Sequence, residues 1–296
     1  MDLLVIDIGG TEIKAALLPE GATELTKIPT LETKATDGAA RMVERIIEHV
    51  EGYDFDGIGI ATAGQVDVRD GSIRYANPNI PGYTGTPLRK IFRDRFDVPV
   101  FVENDVNAAA LGELHFGVGK DDDIRDFLCI TVGTGIGGAI IHDGKLHRGF
   151  YGGAGEFGHL ITHTPARLAS DGADEMAGCY EVFASTTALV RKSMEIDPSL
   201  TDGRKVFAKF DDPQVKAVID TWIGELAMGL VSLIHAWGPE MILFGGGIMR
   251  ETYIMESLEE LLERHVFSSF MPVKLRRAEL GSDANLWGAA VPFFRD

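Results

Sequence analysis

The sequence of 296 residues is poor in cysteine, in basic residues and in long apolar runs. Its two cysteines, Cys129 and Cys179, are too few for a disulfide framework and fit a reducing cytoplasm. Lysine and arginine number 28 against 45 acidic residues, and the formal net charge of −17 argues against nucleic-acid binding. No run of 18 apolar residues is present and the start carries no basic segment, so we expect neither a membrane helix nor a signal peptide.

Glycine is what the chain has in abundance, with 35 residues that fall largely in clusters. The first cluster, Gly9-Gly10-Thr11, follows an apolar strand pattern over residues 3–8 and precedes a second strand pattern over 13–18. The same order returns at residues 127–142, where FLCITV is followed by GTGIGG and AIIH. This repetition predicts an α/β protein with two related halves.

The segments around these clusters alternate between strand and helix patterns. We predict further strands at 57–61, 98–102 and 241–244, helices at about 38–50, after residue 105, at 174–192, at 214–236 and in the tail, and a loop at 77–88.

Glycine turns that follow strands are typical of phosphate sites, because their backbone N–H groups can approach an anion closely. Asp7, at the end of the first strand, is a candidate to orient Mg²⁺ through water. The full set of candidate ATP-binding residues is Asp7, Gly9, Gly10, Thr11, Lys14, Gly133, Thr134, Gly135, Gly137, Gly245, Gly246 and Gly247. Taken singly, the three clusters are explained as well by a tight hairpin, a β-bulge and a strand-to-helix turn.

Four motifs in fixed order carry a family resemblance: DIGGTEIK at 7–14, ENDVNAAALGE at 103–113, TVGTGIGGA at 131–139 and GGAGEFGH at 152–159. Together they resemble the ROK family of sugar kinases and sugar-sensing repressors. The resemblance implies an α/β, actin-like ATPase (ribonuclease H-like) fold with two lobes and an interlobe cleft. It also implies ATP as donor, Mg²⁺ as cofactor and a homodimer. We expect a small lobe from residues 1–114 plus 286–296 and a large lobe from residues 115–285.

The resemblance also implies roles for individual residues. Asp105 would be the general base that accepts the proton of a sugar hydroxyl, although an Asp before a helix is by itself more often an N-cap. The expected sugar-binding residues are Asn79, Asn104, Glu156, His159 and Glu181.

Many members of the family bind zinc through the His of the GH motif and a cysteine cluster. This sequence departs from them. His159 and Cys179 remain, and residues 160–178 hold no cysteine. His163 is a candidate extra ligand, which gives at most three ligands with poor spacing. A structural zinc site usually needs four ligands, so we predict no structural zinc.

The predicted function is therefore ATP-dependent phosphorylation of a sugar hydroxyl in the cytoplasm. By resemblance this is the 6-hydroxyl of a hexose, with glucose as the first candidate and a β-glucoside or an N-acetylhexosamine such as N-acetylmannosamine as alternatives. A sugar-responsive ROK regulator would need a basic DNA-binding domain before the first motif, where only six residues precede Asp7. A nucleotide-binding scaffold without sugar chemistry is the third possibility.

Overall fold

The computed structural model describes residues 1–120, 124–164 and 176–294. Its strands are β1 (Leu3–Ile8), β2 (Glu12–Leu18), β3 (Thr26–Glu32), β4 (Gly57–Thr62), β5 (Gln65–Asp67), β6 (Ser72–Tyr75), β7 (Val100–Asn104), β8 (Phe127–Val132), β9 (Ile136–His142), β10 (Lys145–Leu146), β11 (Met241–Gly245) and β12 (Lys274–Arg277). Its α-helices are α1 (Ala39–Val50), α2 (Leu88–Phe96), α3 (Asp105–Phe116), α4 (Tyr180–Ala184), α5 (Thr186–Met194), α6 (Gly203–Phe207), α7 (Pro213–Trp237), α8 (Thr252–His265) and α9 (Ala284–Ala290).

The chain divides into two compact units. The first unit contains Met1–Asp123, Leu146–Ala154 and Glu279–Asp296, and the second contains Ile124–Lys145 and Gly155–Ala278.

The first unit is built on a five-stranded sheet in the order β3-β2-β1-β4-β7. β1 and β2 form an antiparallel hairpin, whereas β1, β4 and β7 run parallel to one another. β1 and β4 are buried throughout, as expected for parallel strands that are covered on both faces.

Alternation along β1 assigns its side chains to two separate cores. Leu4 and Ile6 belong to a cluster that also contains Met42 of α1 and Phe92 of α2. On the other face the neighbouring apolar residues of β1 pack in a second cluster with side chains of α3 and α9. A sheet with helices on both faces leaves its strand ends as the natural place for a polar site.

The second unit repeats this topology in the order β10-β9-β8-β11-β12. β8 and β9 are antiparallel, and β11 runs parallel to both β8 and β12. Asp143 and Gly144, both with positive φ, form the tight turn that connects β9 to β10.

Helix α7 is long and apolar enough to cross a membrane when judged by length and composition alone. Half of its most apolar window is buried inside the protein. Its Trp222 indole N–H donates to the carbonyl of Ser185 at 2.9 Å, and the Tyr180 hydroxyl donates to the carbonyl of Leu226 at 2.5 Å. These are the contacts of a core helix.

Most predicted elements are present, with shifted boundaries. The predicted glycine turn at 133–138 is shorter than expected, because β9 begins at Ile136 and includes Gly137. The predicted strand at 98–102 lies at 100–104 and ends at the site motif itself. The predicted helix at 174–192 is wrong in part: residues 176–179 are not helical, Ser185 separates α4 from α5, and 174–175 lie outside the described residues.

Candidate active site

The carboxyl ends of β1, β4 and β7 meet at one edge of the first sheet. Ile8 is in register with Thr62, and Thr62 with Asn104. Because the three strands are parallel and adjacent strands lie about 4.8 Å apart, the residues at their ends come together. Asp7 and Asp105 therefore lie at the same edge.

Helix α3 starts directly from this edge. Asn104 has extended backbone angles and is the N-cap, since its side-chain oxygen accepts the N–H groups of Val106 and Asn107, both at 3.0 Å. Asp105 is the first helical residue. The alternative that Asp105 merely caps this helix is thus wrong, because Asn104 occupies that position.

The side chain of Asn104 is held by contacts within the protein. Its amide nitrogen donates to the carbonyl of Gly64 at 3.0 Å and to Oδ1 of Asp105 at 2.9 Å. Together with the two capping bonds, these fill both donors and both lone pairs of the amide. Asn104 therefore orients Asp105, and a sugar hydroxyl would have to replace one of these bonds.

The carboxylate of Asp105 retains partial exposure but is strongly desolvated by the surrounding protein. Burial raises the pKa of Asp105 to about 6, and repulsion from Asp7 acts in the same direction. Hydrogen bonds from the Val106 N–H and the Asn104 amide act in the opposite direction without cancelling the effect. A carboxylate with a pKa near neutrality is suited to accept a proton as a general base.

Asp7 is the second acidic group at this edge and is 8% exposed. Burial raises the pKa of Asp7, opposed by a hydrogen bond of 3.2 Å from the Asn285 amide to Oδ1 and by the charge of Lys14. A desolvated carboxylate of this kind gains from a nearby cation, and hard oxygen ligands suit Mg²⁺. The residues present therefore fit the magnesium role predicted for Asp7.

The turn between β1 and β2 is closed by backbone contacts. The Gly9 N–H donates to the carbonyl of Glu12 at 3.1 Å, and the Thr33 hydroxyl donates to the carbonyl of Gly9 at 2.7 Å. Gly10 and Thr11 are exposed at its tip, and Lys14 lies opposite Asp7 with its ammonium 3.3 Å from Glu12.

An ion pair between a buried carboxylate and a partly exposed guanidinium supports this edge. Glu103, 5% exposed, accepts two hydrogen bonds from the guanidinium of Arg148 at 2.8 and 2.7 Å. Its other oxygen accepts the Asn104 N–H at 2.9 Å and the Asn107 amide at 3.1 Å. Glu103 thus connects Arg148 to the N-terminus of the helix that carries Asp105.

The predicted loop at 77–88 is anchored near Asp105 by Tyr83. Tyr83 is buried, its hydroxyl lies 2.5 Å from the Thr62 hydroxyl, and the charge of Asp105 contributes to raising its pKa after the main effect of burial. Asn79 is exposed in the same loop and its N–H donates to Asn77 at 3.3 Å.

The second unit has its own turns at the carboxyl ends of β8 and β11, which run parallel. The turn of Gly133, Thr134 and Gly135 is held by α5, whose Thr186 N–H donates to the carbonyl of Gly133 at 2.9 Å. Gly245 ends β11, and Gly246 and Gly247 follow it on the surface.

The remaining predicted sugar ligands lie in the second unit. Glu181 accepts the N–H of Ile136 at 3.1 Å, immediately after the turn that contains Gly135. Glu156 and His159 approach each other to 4.0 Å and are both exposed. The structure thus brings Glu181 next to one predicted phosphate turn.

The residues predicted as remnants of a zinc site, His159, Cys179 and His163, all lie in the described part of the second unit. Cys179 is buried with its sulfur 3.8 Å from the carbonyl of His159, and His163 pairs with Glu225 at 3.4 Å. Over residues 1–120, 124–164 and 176–294, no group of three or more His, Cys, Asp or Glu side chains is placed to hold a metal ion.

Three residues of the first edge were not predicted from the sequence. Glu103 belongs to a recognised motif, and its position directly before Asn104 was the available signal. Asn285 lies in the tail, far along the chain from Asp7, and Arg148 stands before a glycine, outside the motif that contains Glu103. Neither of these two has a sequence signal that connects it to the site.

Comparison with known proteins agrees with the motifs. The sequence matches the ROK family over residues 3–294. The chain belongs to the ROK family. This ROK chain is 30% identical to the glucokinase of Thermotoga maritima over 311 residues, which cover 98% of the chain and 96% of the relative. It is 33% identical to the β-glucoside kinase of Listeria innocua, with 100% and 98% covered.

A solved structure gives the same result for the fold. The ROK family glucokinase from Streptomyces griseus, in complex with glucose and AMPPNP, is 31% identical and superimposes with a TM-score of 0.81 over 99% of both chains. The predictions of the ROK family and of the actin-like ATPase fold are thereby confirmed.

Proposed function

We propose that this ROK protein transfers the γ-phosphate of ATP to the 6-hydroxyl of a hexose, with glucose as the first candidate acceptor. The general activity, that of an ATP-dependent sugar kinase, is supported by full-length similarity to glucokinases and a β-glucoside kinase. The proposal depends most on the environment of Asp105, a desolvated carboxylate with a pKa of about 6. Asn104 orients this carboxylate, which lies at the same sheet edge as Asp7.

Asp105 acts as the general base in this proposal. Its carboxylate accepts the proton of the acceptor hydroxyl as that oxygen bonds to the γ-phosphorus, the bond to the β,γ-bridging oxygen breaks, and ADP leaves. Asn104 keeps the accepting oxygen in place, and Asn79, Glu156, His159 and Glu181 bind other hydroxyls.

Phosphate binding is assigned to the glycine turns and to Asp7. Backbone N–H groups at Gly9, Gly10, Gly133, Gly135 and Gly245–Gly247 supply donors to an anion, which a chain of net charge −17 needs. When bound, Mg²⁺ neutralises charge on the transferred phosphate, and Asp7 would hold it.

The identity of the acceptor sugar is the most specific part of the proposal. Relatives named β-glucoside kinase and N-acetylmannosamine kinase are 33% and 28% identical to the chain, so both acceptors remain alternatives to glucose. The homodimer, the cytoplasmic location and the lack of nucleic-acid binding stay predictions from the sequence.

Replacing Asp105 by Asn tests the assigned role. The amide keeps the shape but cannot accept the proton, so we expect kcat to fall about 1,000-fold, with the sugar Kd changed less than about threefold. ADP release over a panel of hexoses measures the first quantity, and titration calorimetry the second.

Asp97→Asn is the matched control, because Asp97 is exposed at the end of α2 with φ of 54°, a conformation that Asn tolerates. Near-normal kcat in Asp105→Asn would contradict the role of Asp105. Sugar binding without turnover in the unmodified protein would favour the regulator instead.

A further inference from the structure

An open recess of about 460 Å³ lies in the first unit, a volume in the range of ligand pockets. Gln65 and Arg74, from the β5–β6 hairpin, line one side of it. The other side is formed by Phe150, Tyr151 and small residues of the segment 149–154. None of these residues has a role in the site described above.

The recess carries two aromatic side chains that are exposed to solvent. Phe150 is 93% exposed and Tyr151 is 62% exposed, and their rings meet edge to face with centroids 4.8 Å apart. The guanidinium of Arg74 lies 4.6 Å from the centre of the Tyr151 ring. Aromatic faces beside hydrogen-bonding side chains suit a ligand ring that has both an apolar face and hydroxyl groups.

The walls of the recess are fixed by close backbone packing. Gly152 has φ of +79°, and a Cβ there would lie 2.9 Å from the carbonyl of Val66 in β5. A Cβ on Gly153 would lie 3.1 Å from the Gln65 amide. The aromatic segment thus packs directly on β5, which gives the recess a built shape.

Two contacts connect the recess to Asp105. Gln65 follows Gly64, whose carbonyl accepts the hydrogen bond from Asn104 at 3.0 Å. On the aromatic side, Arg148 precedes the lining segment and pairs with Glu103, two residues before Asp105. Consecutive Cα atoms are about 3.8 Å apart, so both walls begin within a few residue lengths of the proposed base.

We propose that this recess is an acceptor subsite that holds a second ring, either a sugar or an aryl group, attached to the hexose phosphorylated at Asp105. The inference rests on the proposed function and specifies its substrate class: ring-bearing glycosides are better acceptors than the matching methyl glycosides. Tyr151 and Phe150 contact the second ring, and Arg74 holds the Tyr151 ring and reaches the hydroxyls of the ligand.

The test compares acceptors that differ only in the second ring. kcat/KM is measured for glucose, for methyl and phenyl glucosides of both anomers, and for cellobiose and maltose, in the unmodified protein and in Tyr151→Ala. We expect a phenyl-to-methyl ratio of about ten for the accepted anomer, falling to about one in Tyr151→Ala, while glucose changes less than twofold.

Two further variants separate ring contact from general damage. Tyr151→Phe keeps the ring and is expected to keep the ratio. Phe267→Ala removes another exposed aromatic side chain, 71% exposed in the second unit, and is also expected to keep it.

The outcomes distinguish the subsite from the kinase itself. Glucose turnover with an unchanged phenyl-to-methyl ratio in Tyr151→Ala, or an equal loss for all acceptors, would overturn the subsite and leave the proposed function intact. Absence of turnover with every sugar would overturn the proposed function and the subsite with it.

Discussion

The two sheets of this protein share one strand order, and the residues at their carboxyl edges differ in kind. In the sheet β3-β2-β1-β4-β7 the edge carries Asp7, Asn104 and Asp105. In the sheet β10-β9-β8-β11-β12 the position equivalent to Asp7 is Thr131, each being the second-last residue of its strand, and the edge continues in glycine turns.

This difference separates two kinds of chemistry that one topology can support. A carboxylate can accept a proton or hold a cation, whereas glycine backbone can only donate hydrogen bonds to an anion. The first edge therefore adds the candidate groups for proton transfer and magnesium to its glycine turn at Gly9 and Gly10, whereas the candidate groups on the second edge serve phosphate and sugar hydroxyls.

The largest effect is expected at Arg148, a partly exposed cation that pairs with the buried Glu103 of the carboxylate edge. Arg148→Met leaves Glu103 buried without its partner, and we expect the free energy of unfolding to drop by about 3 kcal/mol. Urea denaturation measures this change.

The control is an exposed ion pair of the same unit, Arg41 with Glu44, where Arg41→Met is expected to cost less than about 1 kcal/mol. Adding Glu103→Gln to Arg148→Met should recover part of the loss, since it removes the unpaired charge. Equal costs for Arg148→Met and Arg41→Met would show that the Glu103 pair contributes no more than a surface pair.

The next-largest effect is expected at Asp7, compared with Thr131 at the equivalent position of the second sheet. Asp7→Asn removes the charge assigned to magnesium, so we expect kcat to fall about 100-fold with the sugar Kd nearly unchanged. The same variant removes repulsion on Asp105 and should lower its pKa, because Asp7 contributes to raising it.

Thr131→Val in the second unit makes a change of similar size at the matching position. We expect its kcat to fall less than tenfold, because no charge is lost. A greater loss in Thr131→Val than in Asp7→Asn would reverse the proposed division between the two edges.

A smaller effect concerns the glycine edge itself. Gly246 has φ of +103°, and a Cβ there would lie 2.1 Å from the carbonyl of Val132 at the end of β8. Gly246→Ala is therefore expected to destabilise the protein by about 2 kcal/mol. The neighbouring Gly247 has open space around the Cβ position, so Gly247→Ala should cost less than about 0.5 kcal/mol. Thermal or urea unfolding of the two variants measures these costs. Equal losses of stability would contradict the expected difference between Gly246 and Gly247.

Local sequence patterns predict the elements that carry these edges well. The β1–β2 and β8–β9 hairpins follow from apolar runs interrupted by glycines, and α1 and α7 from helical periodicity. The strands β3, β5, β6 and β12 were not predicted, because they are short or only partly buried and lack a strong apolar pattern.

The residues of the site also fall into two groups, those that local sequence identifies and those that only long-range contacts identify. Asp7, Asn104 and Asp105 lie in motifs at the ends of strands, so their place in the site could be predicted from the sequence. Asn285 reaches Asp7 across 278 residues, and Arg148 reaches Glu103 across 45, so only the folded chain identifies them. The raised pKa of Asp105 also depends on burial that no local pattern encodes.

The most direct measurement of the central assignment is the pH dependence of kcat/KM for the sugar at saturating ATP. A general base must be ionised, so activity is lost as the pH falls through the pKa of Asp105. At saturating ATP, kcat/KM for the sugar reports that pKa in the ATP-bound enzyme before the sugar binds. We predict a plateau above pH 7, a break at about pH 6 and a tenfold fall for each pH unit below it. The small residual activity of Asp105→Asn should lack the break. A plateau that extends to pH 5, or the same break in Asp105→Asn, would contradict Asp105 as the base.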